Sequence, residues 1–139
     1  MTLRELYIEI ERIAGSVPDI RTIVENDILR LNTMRSAEYS VFGITQESHR
    51  SSQGWMDFTL NLFFIDRLLN AGDNELEVQS HAIEVLRAVL MRLGELVEVG
   101  EVQYNTFTQR FQDLCAGAWA TVTVRTPESD CDEIFNEER

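Results

Sequence analysis

Two segments of the chain alternate apolar and polar residues, and this period of two limits the possible fold more than any other feature. Successive side chains of a β-strand point to opposite faces of a sheet, so each segment predicts a strand with one buried face. The apolar positions of the segment 55–66 are Met56, Phe58, Leu60, Leu62 and Phe64. Those of the segment 114–125 are Ala118, Ala120, Val122 and Val124.

Two further strands are predicted from extended patterns at 39–49 and 97–111. The residues 50–54, Arg-Ser-Ser-Gln-Gly, form a polar connection of hairpin length between the first two strands. We therefore expect those two strands to pair antiparallel, with Arg50 at the tip of a projecting hairpin.

Two helices are predicted by apolar residues at three- and four-residue spacing. The first covers 2–14, where Thr2 and Glu5 match a capping box and Gly15 can close the other end. The second starts after the break at 70–74 and runs to about Gly94. Its apolar half includes Leu76, Ala82, Ile83, Leu86, Val89, Leu90 and Leu93. Because Ala88 and Met91 interrupt the charged half, a second buried surface is possible on this helix.

The order of these elements predicts an α+β fold. We expect a mainly antiparallel four-stranded sheet packed by an N-terminal helix and one long central helix, with 19–34 as a loop that contains one or two helical turns. The 139 residues correspond to one domain. This α+β domain is expected to span 1–126, followed from Pro127 by an acidic tail, 127–139.

The charge of the chain excludes several classes of function. There are 24 acidic and 12 basic residues, and every basic residue is arginine. Without lysine, the chain is neither a phosphate-loop NTPase nor a Schiff-base enzyme. The acidic excess argues against ordinary DNA binding. The apolar runs are too short for a membrane helix, and the N-terminal residues do not resemble a signal peptide, so we do not expect secretion. The two cysteines, Cys115 and Cys131, are too few for a disulfide framework and fit a reducing cytoplasm.

The residues that usually carry catalysis or bind cofactors form no known motif. The seven glycines contain no G-x-G pair. His49, His81, Cys115 and Cys131 match none of the zinc spacings. We therefore expect no enzyme activity, no cofactor and no metal; Cys115 is interpreted as a small buried residue, and His81 as a solvated or interface histidine.

Six residues are candidates for contacts with partner proteins. Trp55 and Trp119 lie on the polar register of their strands, so either helices cover both faces of the sheet and bury the rings, or the rings form an oligomer interface. Arg50 can make a two-pronged contact to a carboxylate, and Met91 is an apolar residue on the charged side of its helix.

Ile134 and Phe135 are an apolar pair within the acidic tail. The tail carries six acidic residues and one arginine, so we expect it to stay outside the core. It either anchors in a basic, apolar-lined groove of a neighbouring protein, with Phe135 in a pocket, or only increases solubility.

Four segments of the chain resemble small virion proteins of crAss-like gut phages. They are 41–50 (VFGITQESHR), 66–68 (DRL), 77–86 (EVQSHAIEVL) and 110–120 (RFQDLCAGAWA). The order of elements over about 1–125 also resembles phage tail-terminator, or tail-completion, proteins. This resemblance is one of pattern and includes no catalytic signature.

The resemblance implies a structural virion protein that forms a ring in the neck or tail, with six-fold or twelve-fold symmetry. Such a ring stacks on neighbouring ring proteins, and genomic DNA passes through it without specific binding. Acidic groups in the lumen would repel the phosphates. The location implied is the virion, and the host cytoplasm during assembly. The alternative is an acidic DNA mimic that inhibits a host DNA-binding protein.

Overall fold

The computed structural model describes residues 1–26, 39–68, 74–110 and 114–135. The helices are α1 (Leu3–Gly15) and α2 (Glu75–Leu93), and a 3-10 helix covers Asp132–Phe135. The strands are β1 (Thr22–Glu25), β2 (Val41–Ser52), β3 (Trp55–Arg67), β4 (Glu98–Arg110) and β5 (Leu114–Pro127). The predicted α+β class is confirmed.

The sheet has five strands in the order β1-β2-β3-β5-β4, and it is mixed because β1 lies parallel to β2. The prediction of a mainly antiparallel four-stranded sheet was therefore wrong in strand number, because it missed β1 and its parallel pairing with β2. The other pairs are antiparallel, as expected.

The missed strand is β1, which belongs to the segment 19–34 that the sequence predicts as a loop with helical turns. It has four residues, Thr-Ile-Val-Glu. So short a segment is equally compatible with a strand and with a helical turn, and its backbone pairing with Val41–Ile44 decides for the strand. Residues 27–34 lie outside the described residues.

Helix α1 begins and ends close to the predicted positions. The Thr2 hydroxyl accepts a hydrogen bond from the Glu5 backbone N–H at 3.1 Å, and the Glu5 carboxylate accepts one from the Thr2 N–H at 3.0 Å. This reciprocal pair is the predicted capping box. Gly15 is the last residue of the helix, and Ser16 caps it by donating to the Ile13 carbonyl.

The β2–β3 connection is shorter than predicted. Only Gln53 and Gly54 lie between the strands, with φ of 41° and 88°. Positive φ at both central residues suits the right-handed twist of a two-residue hairpin. Arg50 therefore lies within β2, opposite Asp57, and not at the tip of a five-residue loop.

Both helices pack on the same face of the sheet. The main core joins the buried side of α1 and α2 to alternate residues of the strands, which include Phe42, Leu60, Leu62, Ala120 and Val122. We call this side the covered face. The other side, which carries Trp55, Asp57 and Trp119, is the open face, because no helix in the described ranges packs on it.

Helix α2 buries one side only. Ile83 is half-buried, but Leu76 lies exposed in the first turn, which corrects its assignment to the apolar half. Ala88 and Met91 are exposed too, so a second buried surface on α2 is not formed within the described chain.

Candidate assembly interface

The open face is built from the residues of each strand that alternate with the core. On β3 and β5 the pairs across the strands are Asp57 with Arg125, Thr59 with Thr123, Asn61 with Thr121, and Phe63 with Trp119. The face changes in character along the strands, from charged at the hairpin end, through hydroxyl and amide groups, to aromatic.

The middle of the open face is joined by side-chain hydrogen bonds across the two strands. The Thr59 and Thr123 hydroxyls lie 3.0 Å apart, and the Thr121 hydroxyl donates to Asn61 Oδ1 at 2.6 Å. Cross-strand pairs of this kind stabilise a sheet modestly and fix its register. The polar side chains are therefore ordered although only half-buried.

Trp119 lies between two phenylalanines at the aromatic end. Its ring centroid is 6.2 Å from that of Phe63 and 5.7 Å from that of Phe107. The ring is half-buried by neighbours on its own face, and no helix of the described chain covers it. The ring is therefore neither buried under a described helix nor fully exposed as a ready oligomer interface: it packs on its neighbours and also reaches solvent.

The hairpin end carries Arg50, Trp55, Asp57 and Arg125, which we call the arginine–tryptophan patch. Arg125 forms a two-pronged ion pair with Asp57, at 2.8 and 3.0 Å, and its guanidinium carbon lies 5.9 Å from the centre of the Trp55 ring. Trp55 remains 43% exposed. The patch therefore combines an ordered cation with accessible aromatic surface.

The electrostatics of the patch follow from the ion pair. The hydrogen bond from Arg125 lowers the pKa of the Asp57 carboxyl, and Arg50 contributes to the same shift. The hydrogen bond to Asp57 raises the pKa of Arg125. Both groups are charged at neutral pH, so the patch carries two cations and one anion.

A cleft of about 210 Å³ lies beside the patch. It is lined by Ser48, Arg50, Asp57, Thr59 and Thr123. The Arg50 side chain makes no hydrogen bond or ion pair with any side chain in the described ranges. Its guanidinium is thus available to a carboxylate from another molecule.

The other predicted interface residues lie elsewhere. Met91 is 71% exposed on the outer side of α2, behind the covered face. Ile134 and Phe135 are 72% and 78% exposed in the 3-10 helix of the tail. The structure therefore brings Arg50 and Trp55 together, places Trp119 further along the same face, and separates the remaining three.

The tail leaves the sheet on the covered side. The Glu128 N–H donates to the Gly54 carbonyl at 2.9 Å, which continues the edge of the hairpin. A cavity of about 510 Å³ then separates the tail from α1. It is lined by Met1, Thr2, Leu3, Ser51, Met56, Phe58, Glu128, Ser129 and Cys131. Met56 and Phe58 belong to the covered side, so the tail starts away from the open face.

A second polar site joins α1 to β1. The Arg4 guanidinium donates to the Glu25 carboxylate at 3.1 Å, and the Tyr7 hydroxyl donates to Asn26 Oδ1 at 2.5 Å. Burial and a hydrogen bond to Glu25 raise the pKa of Glu11 to about 7. That same hydrogen bond, with help from Arg4, lowers the pKa of Glu25. The two carboxyls therefore share a proton in mildly acidic solution.

The sequence patterns missed four participants in the open face: Asp57, Phe63, Phe107 and Arg125. Two of them could have been predicted from the sequence, since Asp57 and Phe63 share the odd-numbered register of Trp55. The contact of Phe107 with Trp119 and that of Arg125 with Trp55 depend on how the strands pair, which the sequence does not state.

The remaining candidate chemistry is limited to single contacts. His81 is half-exposed and lies 2.7 Å from the Asp19 carboxylate, and Cys115 is buried as expected. No group of three or more His, Cys, Asp or Glu among residues 1–26, 39–68, 74–110 and 114–135 is arranged to hold a metal ion. None of the helices described above has the length and apolar character needed to cross a membrane.

The chain matches no protein-family model and no curated protein.

Proposed function

We propose that this chain is a structural virion protein that assembles into a ring in the neck or tail of a phage. The observation that carries the proposal is the open face, where ordered polar side chains and half-exposed aromatic rings lie on a sheet that the described helices leave uncovered. Aromatic and arginine side chains are enriched at protein interfaces, and both are present here.

The distribution of exposed apolar groups favours a ring over a symmetric dimer. Trp55 is on the open face, Met91 is on the outer side of α2, and Phe135 is in the tail. Different patches on different sides of one subunit suit head-to-tail contacts, which close into a ring when the rotation between copies is fixed. The resemblance described above implies six or twelve copies.

The charge supports a role as a conduit for DNA. The chain has a formal net charge of −12, and a ring multiplies that charge around its lumen. Carboxylates that face the lumen repel the phosphates, so genomic DNA slides past without being held. The proposal thus includes neighbouring neck or tail ring proteins as partners, and location in the virion after assembly in the host cytoplasm.

The proposal is tested by imaging and mass measurement on the full chain. Light scattering should give a mass corresponding to a closed ring, alone or after mixing with the proteins of adjacent virion rings. Negative-stain images should show annular particles. Labelled antibodies against the chain should bind at the neck or tail of purified virions.

A matched pair of variants examines the role of the open face. Arg50→Ala should weaken ring formation without a change in melting temperature, because Arg50 is exposed and has no ion pair in the described chain. Arg12→Ala, on α1 and with its ion pair to Glu9, should leave assembly unchanged, because α1 contributes no residue to the proposed interface. A chain that stays monomeric alone and with virion proteins, and that binds a basic host enzyme, would instead support the DNA mimic.

A further inference from the structure

The tail of this chain and the arginine–tryptophan patch are chemically complementary. The tail contains acidic residues on both sides of Ile134 and Phe135, and both apolar side chains are exposed. The patch offers the exposed Arg50 guanidinium, which has no ion pair with a described residue, on the same face as the accessible ring of Trp55. Carboxylates and an aromatic group on one segment thus correspond to a cation and an aromatic ring on the other.

The path of the tail directs it away from the patch of its own chain. The Glu128 N–H is tied to the Gly54 carbonyl, and Cys131 lines the cavity on the covered side together with Met56. Arg50 and Trp55 face the opposite side of the same hairpin. A tail that reaches this patch therefore comes most directly from a different copy.

We infer that the tail of one copy of this chain, through its residues 128–135, binds the arginine–tryptophan patch of the next copy. This contact rests on the proposed ring and specifies how its adjacent subunits are joined. It is a head-to-tail contact, since each copy contributes its tail on one side and its patch on the other.

The charges on the open face define where the acidic groups of the tail bind. Arg50 lies on the β2 side of Asp57, whereas Glu98 of β4 lies opposite Arg125 on the other side. The β2 side is therefore the more cationic one. Carboxylates of the tail pair with Arg50 in the cleft lined by Ser48 and Thr59, and Phe135 packs on the exposed part of Trp55.

The length of the tail is sufficient for this contact. Phe135 is eight positions beyond Pro127; the chain up to Asp132 can extend by roughly 3.3 Å per residue, and the 3-10 helix Asp132–Phe135 rises by roughly 2 Å per residue. The apolar pair can therefore reach a patch about 20 Å from the end of β5. The contact therefore requires that the patch of the neighbouring subunit lies on the side that faces the end of β5.

Disulfide trapping in the full chain tests the contact. Cys131 in the tail is exposed and Cys115 is buried, so the variant Ser52→Cys adds one accessible thiol next to Trp55 on the open face. Under mild oxidation we expect a ladder of cross-linked dimers, trimers and higher species on a non-reducing gel. Mass spectrometry should join the tail peptide of one chain to the hairpin peptide of another.

Two matched variants control for random collision. Ser80→Cys places a thiol on the exposed side of α2 and should give no ladder. Ser52→Cys combined with Cys131→Ser should give at most dimers, because each chain then has one accessible thiol. A ladder of equal intensity with Ser80→Cys overturns the inference, and so does a disulfide within single monomers of Ser52→Cys.

A charge exchange separates a specific pairing from simple proximity. In the Ser52→Cys chain, Arg50→Glu should slow cross-linking about tenfold, and additional reversal of Asp130 and Asp132 to arginine should restore it. Rings without cross-links would refute this contact and leave the proposed function intact. Cross-links in virion-free chains that never form rings would support the contact and refute the ring.

Discussion

The two faces of β3 and β5 use the same strands in different ways. On the covered face, Leu60, Leu62 and Val122 are almost completely buried under the helices. On the open face, Thr59 and Thr123 are half-buried and hydrogen-bonded to each other. The covered face thus buries the main core, whereas the middle and the hairpin end of the open face hold polar side chains in place; the far end of the open face has a small buried cluster of its own, Val24, Val41, Ile65 and Cys115.

The energetic difference between the faces has a simple origin. Burial of a Leu or Phe side chain contributes about 1.5–3 kcal/mol through the hydrophobic effect. A hydrogen bond such as that between Thr59 and Thr123 replaces bonds to water and contributes about 1 kcal/mol net. Changes on the open face should therefore affect assembly more than stability.

Phe63 and Phe64 provide the most direct test, because identical side chains lie next to each other on opposite faces. Phe64 is fully buried in the core, and Phe64→Ala should lower the free energy of unfolding by about 3–5 kcal/mol. Phe63 is half-buried against Trp119, and Phe63→Ala should lower it by only about 1.5 kcal/mol. Urea unfolding followed by circular dichroism measures both values.

The same pair of variants should also show that stability and ring formation can be lost independently. Phe63→Ala folds but alters the aromatic end of the open face, so ring formation should be reduced at a temperature where the subunit remains native. Equal losses of stability from the two substitutions would mean that the open face is covered in the free subunit, and would remove the basis of the comparison.

The contact between α1 and β1, at the rim of the covered face, should make the free energy of unfolding depend on pH. The pKa of Glu11 is raised to about 7 in the folded chain, against an ordinary value of 4.5. The folded state therefore binds this proton more tightly than the unfolded state. The stability that protonated Glu11 contributes is fully present below pH 4.5 and is lost as the pH rises through 7.

Glu11→Gln should remove this pH dependence. Above pH 7 the variant should be more stable than the parent by on the order of 1 kcal/mol, because solvent screens the pair strongly. Thermal unfolding between pH 5 and pH 8 gives the measurement, with Glu47→Gln on exposed β2 as the control. An unchanged slope would show that Glu11 and Glu25 do not share a proton.

Thr59→Val should have the smallest effect. It removes the hydrogen bond with Thr123 and keeps the shape and strand propensity of the side chain, so the unfolding free energy should fall by at most about 1 kcal/mol, the net contribution of that bond. A loss of several kcal/mol, measured by urea unfolding, would assign the polar middle of the open face a structural role equal to that of the core.

Much of the open face follows from the register of residues 55–66. Trp55 and Trp119 were expected on the polar side of their strands, and the structure confirms it. Arg50 was expected at the tip of the hairpin before Trp55, and it lies instead within β2 on the open face. Arg125 and Phe107 were missed because their contacts cross between strands that are distant in sequence.

The sequence alone determined the local structure. Thr2 and Glu5 specify the start of α1, the alternation from Met56 to Phe64 specifies the buried side of β3, and helical spacing specifies α2. These patterns depend on neighbours within a few residues, which interact whatever the rest of the chain does.

Only the tertiary structure decided the pairing of β1 with β2, the uncovered state of one sheet face in the described chain, and the side on which the tail leaves. Each depends on backbone hydrogen bonds or packing between segments far apart in sequence. A strand of four residues and a tail with one apolar pair have too little local pattern to specify such contacts, so the folded sheet and its neighbours decide them.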